Sequence, residues 1–389
     1  MEYIKLNELC EINIGKTPSR NKNEYWGKGF NWLSISDLKE SRLSETREEI
    51  TDIAVKECNM RLVPKNTVVM SFKLSIGKTA ILDKDMYTNE AIANFPIKNK
   101  EKLLPEYLFY ALKTVNFNNT DRAVMGATLN KAKLNEIKIP YCDIEIQKRI
   151  INLLDKSQEL IDKRKEQIEA LDELVKSKFI EMFGNVNIND KEWNVTTMDK
   201  LIDVIGGYAF RSTEFVDVGI PVLKIGNINA GYFKSTNLMF WQKDDKLEKY
   251  LIKPGDLVIS LTGTVGKEDY GNVCIMGDDY DEYYLNQRNA KLEIKSNELL
   301  NKYYLTYLLK VPEIKKRLTG ISRGVRQANI ANKDILNLEI PNPPIEIQNK
   351  FENFVKQVDK LKVEMEKSLK ELEDNFNSLM QRAFKGELF

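Results

Sequence analysis

The sequence predicts an α+β protein, a tandem duplication of a mixed α/β domain followed by a long helix. The two long helices are expected to pair as an antiparallel coiled coil. Three observations carry this. First, the stretch Ile144–Phe183 returns ungapped as Ile345–Phe384, with Ile345 standing 201 positions after Ile144. Second, both copies lack proline and glycine and are rich in Glu, Lys and Leu, the residues that lose least on entering a helix. Third, the short β segments and turns before each copy follow one order.

Counted in heptads, the inward positions of the first copy are Ile150, Leu153, Leu160, Leu171 and Leu174. Those of the second are Phe351, Phe354, Val358, Leu361, Met365, Leu372 and Leu379. Ser157, Arg164 and Gln167, and later Ser368 and Asn375, interrupt the seam. A duplicated stretch in one register argues that the two helices pack on each other rather than serving as separate core helices. A helix of about 39 residues is roughly 58 Å long. A parallel pair would force the intervening domain to bridge that length, so the expected pair is antiparallel, with one domain at each end.

The first half opens with Tyr3-Ile4-Lys5-Leu6, an alternating strand running into a helical turn. The loop Gly15 to Gly29 follows, where Lys16, Arg20, Lys22 and Lys28 face only Glu24, with Tyr25 and Trp26 interleaved. Asn31 to Ile35 and Thr67 to Phe72 read as strands, the latter ending in a polar turn that closes at Ile76-Gly77-Lys78. Leu103 to Lys113 reads as an amphipathic helix whose aromatic stripe belongs to a core.

The second half repeats this order after a polar linker, Gly184 to Lys191. Trp193 to Gly207 matches the opening strand and turn, and Pro221 to Ile228 matches the Trp32 strand. Asp256 to Ser260, running to Val265-Gly266-Lys267, matches Thr67 running to Gly77-Lys78. Asn286 matches Asn89, and Tyr304-Leu305 matches Tyr107-Leu108. The expected segments are residues 1–140 and 185–341 as domains, with 141–184 and 342–389 as the helices that follow them. Between Lys310 and Arg326, six cations are opposed by Glu313 alone. There Arg323, Arg326 and Gln327 sit among glycine and asparagine, side chains suited to base edges as well as phosphates.

Composition narrows the chemistry. Of 389 residues, 42% are hydrophobic and 30% charged, which allows two or three globular domains. Histidine is absent, which removes His-based acid–base catalysis, Ser-His-Asp and Cys-His nucleophiles, and His-bearing zinc sites. Cys10, Cys58, Cys142 and Cys274 show no metal-ligand spacing and read as reduced thiols. The charged start carries no signal peptide, and no apolar run approaches the roughly 20 residues of a membrane span, so a cytoplasmic protein is expected. A net charge of +1 argues against indiscriminate coating of nucleic acid. Gly15-Lys16-Thr17 and Gly77-Lys78-Thr79 lack the upstream glycine of a phosphate loop, since Cys10 and Phe72 stand there. Asn342-Pro343-Pro344 is followed by Ile345 rather than the aromatic of a methyltransferase tetrapeptide. Asp256, Glu293 and Lys295 match Thr67, Pro96 and Lys98 of the first half, so the pattern is not shared, which argues against a nuclease centre.

The layout resembles the specificity (S) subunit of type I restriction–modification enzymes along essentially the whole chain. GKTPSRNKNEYWGKGFNWLSISDL from Gly15 resembles the start of a target-recognition domain, and Gly206–Ile228 resembles its other common form. Ile137–Ile150 and Leu338–Phe351 resemble the family's approach to its long helices, where Pro-Pro and then Gln precede an apolar helix. The first copy departs with Tyr141-Cys142 in place of the prolines.

The resemblance implies a non-catalytic subunit for phage defence. Each target-recognition domain reads one half of a split site on double-stranded DNA, and the helices set the spacing between the halves. They also dock two methyltransferase subunits and, through them, restriction subunits. No cofactor is expected on this chain; S-adenosylmethionine, ATP and Mg are implied for the partners. A stand-alone methyltransferase or nuclease, or a coiled-coil protein with protein-binding ends, are the alternatives.

The family's base-reading residues vary, so candidates here rest on polar and basic character alone. In the first half they are Lys16, Thr17, Ser19, Arg20, Lys22, Lys73, Lys78, Asn89 and Arg122. In the second they are Arg211, Lys224, Asn227, Thr262, Thr264, Lys267, Arg288, Arg323, Arg326 and Gln327.

Overall fold

The computed structural model describes residues 1–117, 121–123, 126–267, 269–320 and 327–389, with backbone only for 121–123, 126–128 and 327. The chain forms two compact units. One comprises residues 1–165 and 367–389, the other residues 166–366.

Each unit is a mixed α/β domain joined to the start of one long helix and the end of the other. The helices are continuous over Ile144–Phe183 and Ile345–Lys385. In the first unit Lys165 pairs with Glu373 at 3.1 Å, and in the second Lys362 pairs with Asp172 at 2.7 Å. Arg149 lies 4.5 Å from the Phe389 ring, and Phe183 packs on Phe351 at 5.4 Å. Within each unit, later residues of the first helix therefore meet earlier ones of the second segment, and the helices run antiparallel, as expected.

The seam is the expected one in part, since Phe354, Met365, Leu372 and Leu379 pack half-buried against the cores. Ile150 and Leu171 are buried, but Leu160 is 55% and Leu174 47% exposed. The buried apolar residues of the first helix are Ile150, Leu154, Ile161, Leu171, Val175, Phe179 and Phe183. In the second helix Phe351 and Val358 are buried as expected, Leu361 is exposed, and Val355, Phe376, Ala383 and Phe384 complete the inner face. Each helix covers its domain's core as well as its partner, so the inner face is set by both.

In the first unit a five-stranded sheet places Val68–Ser71 between Ile92–Phe95 and Thr79–Leu82, with Asn13–Ile14 and Arg42–Leu43 at the edges. All three inner strands are buried on both faces. Val68 and Met70 face a core with Tyr107, Leu108 and Leu112 of the helix Pro105–Lys113. Val69 faces a second core with Leu33 and Leu38. That two-residue alternation explains strands that read as unbroken apolar runs. A three-stranded sheet of Glu48–Ile50, Trp26–Leu33 and Tyr87–Thr88 carries the loop after Gly15.

The second unit repeats the plan. Leu257 and Ile259 face the core with the long helices, while Val258 faces Leu223 and Ile228. It differs by one added helix, Pro312–Thr319, and by a longer hairpin. In the first unit Gly77 N–H donates to Ser71 O, and in the second Gly271, not Gly266, donates to Ser260 O, both at 2.9 Å. The counterpart of Lys78 is thus Asn272, and the segment around Val265-Gly266-Lys267 is an insertion.

The same joints fasten each domain to the helix that follows it. Tyr107 donates its hydroxyl to Pro140 O at 2.9 Å, and Tyr304 donates to Pro341 O at 2.6 Å. Gln147 and Gln348 are fully buried. Gln147 accepts from Leu104 N and donates to Lys102 O and Cys142 O at 2.8–3.0 Å. Gln348 accepts from Asn301 N at 2.8 Å and donates to Pro343 O at 2.7 Å.

Candidate nucleic-acid interface

Each unit presents a group of loops tied together by backbone hydrogen bonds, in the same pattern twice. In the first unit Gly15 N donates to Ile92 O, Lys16 N to Thr88 O, Asn89 N to Leu33 O, Phe72 N to Ala91 O and Leu129 N to Phe72 O. In the second, Gly207 N donates to Asn289 O, Tyr208 N to Leu285 O, Asn286 N to Leu223 O, Leu261 N to Arg288 O and Ile330 N to Leu261 O. A β-carbon on Gly15 would collide with the carbonyl oxygens of Thr88 and Asn89, and one on Gly207 with that of Asn286. Only glycine allows that approach.

This frame brings together Lys16, Thr17, Arg20, Asn89 and the loop from Lys73 to Lys78 in one unit. In the other it collects Tyr208, Lys224, Asn286, Arg288 and the Thr262–Thr264 strand. That strand pairs with Gln327–Asn329.

The expected cations divide by what already holds them. Lys16 donates its ammonium to Cys58 O at 2.7 Å, and Lys22 donates to Tyr25 Oη at 2.7 Å and to Glu57 at 3.3 Å. Both brace the loop. Asn227 is buried and fully engaged: it accepts from Lys224 N and donates to Lys234 O and Thr236 O at 2.9–3.0 Å, so it holds a turn. Asn89 accepts from Ala91 N at 3.0 Å, as Asn286 accepts from Arg288 N at 3.3 Å. Thr264 donates to Asp269 at 2.9 Å. Thr17 carries a buried hydroxyl with no partner among the described residues. Arg211 is exposed beside Glu214 at 3.4 Å, and Lys224 lies 4.4 Å from the Phe215 ring. Thr262 is half-buried, and Ser19 is exposed. The side-chain nitrogens of Lys73, Lys78, Lys267 and Arg288 make no hydrogen bond or ion pair among the described residues; Lys78, Lys267 and Arg288 are exposed and Lys73 half-buried.

In the basic segment from Lys310, the fold engages several of the described cations. Lys310 rests 5.2 Å from the Tyr307 ring, Lys315 donates to Asn272 at 2.7 Å, and Arg317 donates to Asn187 at 2.8 Å. These cations anchor the added helix and the linker. Arg323, Arg326 and the side chains of Arg122 and Gln327 lie outside the described residues.

Residues that composition alone did not single out complete the first unit's surface. Glu48 pairs with both terminal nitrogens of Arg20, one of them at 2.9 Å, from a strand 28 residues away in sequence. Strand register places Glu48 opposite Trp32, and in the second unit Met239 opposite Val222. Asp37, the counterpart of Asn227, accepts from Ser34 N at 2.9 Å, from the Ser34 hydroxyl at 2.6 Å and from Arg47 at 3.2 Å. Burial pushes its carboxyl up, but the Ser34 and Arg47 bonds outweigh that and hold it below the ordinary carboxylate range. Asp256 and Glu293 share Lys291 at 3.3 and 3.0 Å, an ion-pair group with Lys295 turned instead to Asp203. Among the described residues no group of His, Cys, Asp or Glu could hold a metal, and no helix is long and apolar enough to cross a membrane.

A two-unit chain with a twice-built loop frame and paired helices matches a known family. The sequence pattern of the type I restriction modification DNA specificity domain covers residues 1–170 and 190–374. The chain belongs to this specificity family. It is 28% identical to the type I restriction enzyme MjaIX specificity subunit of Methanocaldococcus jannaschii, over 99% of this chain and 92% of that one. It is 26% identical to the MjaVIII specificity subunit of the same organism, over 100% and 92%. A solved structure concerned with complex assembly and conformational transition of the type I R-M system shares the fold, with a TM-score of 0.62 at 16% identity, covering 100% of this chain and 98% of that one.

Proposed function

We propose that this chain is the non-catalytic DNA-recognition and assembly subunit of a type I restriction–modification complex. Residues 1–140 and 185–341 each read one part of a two-part target on double-stranded DNA, through the loops gathered by the repeated frame. The segments 141–184 and 342–389 set the spacing between those parts. They also dock two methyltransferase subunits and, through them, the restriction subunits. S-adenosylmethionine, ATP and Mg serve those partners, and this chain binds no cofactor. The complex works in the cytoplasm, where the DNA it reads lies.

One observation carries the reading. The same backbone frame is built twice yet holds different side chains, with Lys16, Glu48 and Glu90 in one unit where Tyr208, Met239 and Gln287 stand in the other. A frame maintained by main-chain bonds can change its surface groups without changing its shape, which suits two readers of two different sequences. The docking role is supported by Leu160, Leu174, Ile180 and Val363, large apolar side chains that the helices leave exposed.

The test is replacement of residues 1–140 by the corresponding segment of another family member, followed by methylated-motif sequencing in a host supplying the partners. One half of the motif is expected to change and the other to persist. A change in both halves would refute the assignment of one reader to each half-site.

A further inference from the structure

In the first unit one candidate side chain is already fixed in place. Arg20 leaves the loop after Ser19 and lays its guanidinium 3.7 Å from the Trp26 ring centre and 5.1 Å from that of Trp32. The two indoles meet edge to face at 4.9 Å. Trp26 Nε1 donates to Ser19 O at 3.1 Å and Trp32 Nε1 to Lys16 O at 3.0 Å, so the rings that carry the guanidinium also pin the loop it grows from. Glu48 takes the Nη1 and Nη2 protons. Its own backbone is fastened by Thr46, whose hydroxyl donates to Glu48 O at 2.7 Å.

A guanidinium has a second two-proton edge, Nε with Nη2, beside the one Glu48 occupies. Nε donates to no described residue, and the Arg20 side chain is 52% exposed. An exposed arginine normally samples many rotamers. Here the guanidinium lies against two indoles and one edge is tied to Glu48, which leaves the Nε–Nη2 edge with no hydrogen-bond partner at Nε among the described residues. A flat two-donor edge matches O6 and N7 of guanine, the commonest specific contact of the major groove. A lysine at this place could not present it.

We propose that Arg20 is the guanine-reading residue of the first unit, with Trp26 and Glu48 as positioning residues that hold its Nε–Nη2 edge outward. The inference rests on the reading that this unit contacts DNA bases. It is particular to the first unit. In the second, Val222 stands at the register position of Trp32 and Met239 at that of Glu48, so neither the indole nor the carboxylate is present.

The experiment uses the full chain assembled with its methyltransferase partners, and reads both the methylated motif and binding to target duplexes. The wild-type half-site of the first unit should contain a guanine whose replacement by 7-deazaguanine, which lacks the N7 acceptor, weakens binding. Arg20→Ala should weaken binding to that target roughly 5- to 150-fold. It should also abolish the 7-deazaguanine effect and relax the motif at that one position, leaving the other half unchanged. Arg20→Lys, which keeps the charge and spares the fold, should relax the same position. Glu48→Gln should relax it in part.

Three results would overturn the proposal: a half-site without guanine, an unchanged motif in Arg20→Lys, or an equal loss on target and unrelated duplexes, which would mark a phosphate contact. An unchanged motif in Glu48→Gln would remove the positioning role. A wild-type assembly that methylates no defined motif would sink the recognition reading itself, a result distinct from all of these.

Discussion

Replacing Gln147 by leucine tests whether the buried amide at the helix start is what holds domain to helix. Leucine has nearly the same volume, so the substitution removes hydrogen bonds while leaving little cavity. Three backbone groups lose their partner: Leu104 N, Lys102 O and Cys142 O. Each buried polar group left unpaired costs about 1–3 kcal/mol. Lys102 is an exposed residue, so the low end applies at its carbonyl. The expected loss is therefore about 3–7 kcal/mol, a large share of the 5–15 kcal/mol that a domain typically holds. Hydrogen exchange followed by mass spectrometry should show faster exchange at Pro105–Lys113 and in the first turns from Ile144, with the second unit unaffected. Gln348→Leu should do the same at Lys302–Lys310 and leave the first unit unaffected, since Gln348 makes the equivalent bonds to Asn301 and Pro343. A loss below about 1 kcal/mol, or exchange that rises in both units from one substitution, would refute the idea that these amides act as local joints.

Further outcomes follow from single contacts. Phe183→Ala should destabilise the second unit by about 3–5 kcal/mol in chemical denaturation, because Phe183 packs on Tyr304 at 4.7 Å and Phe351 at 5.4 Å. Asp37 has a depressed carboxyl pKa, so its stabilising effect is present above the ordinary value of 3.8 and is lost as pH falls through the folded value. Asp37→Asn should thus cost about 1–2 kcal/mol at neutral pH, with the gap to wild type closing in acid melts; a gap independent of pH would contradict it. Leu160→Lys and Leu174→Lys should leave the melting temperature within a few degrees of wild type while weakening co-purification with the methyltransferase subunit, and unchanged assembly would remove these residues from the docking face.

Much of the fold could be read from the residues because duplication displays it twice. Two copies of a proline-free stretch and two series of short strands leave few alternatives. The inner face of the helices was less legible. Leu153, Leu160 and Leu174 keep heptad spacing as well as Leu154, Ile161 and Val175 do, and the two stripes differ by one residue. A helix that packs on a partner and also on a sheet buries a wider, shifted arc, which a count of heptads does not resolve. The long hairpin hid its own equivalence, since Gly266-Lys267 imitates Gly77-Lys78 while Gly271 holds the matching backbone position. For the candidate interface, charge identified Arg20 but also Lys16, Lys22 and Arg317, which the fold uses for bracing. Nothing near Arg20 in sequence announces Glu48, because the pairing comes from strand register.

The two copies also separate holding from reading within a single molecule. Glycine recurs where a β-carbon would strike a carbonyl, at Gly15 and Gly207. Tyrosine recurs where a hydroxyl reaches the strand before each helix, and glutamine where an amide must serve donors and acceptors together. Each of these bonds is to backbone, so it requires one residue type and is indifferent to the surrounding surface. At Glu90 and Gln287, or Glu48 and Met239, the side chain contributes nothing to the repeated main-chain pattern, and the copies differ in charge and polarity. The Asp37 and Asn227 pair shows the intermediate case: both accept from the backbone N–H three residues earlier, but only the carboxylate can also hold Arg47. A position constrained by backbone bonding alone tolerates that exchange, whereas one constrained by a target would not. The surface groups that differ between the copies are accordingly the ones whose exchange should alter recognition without altering the fold.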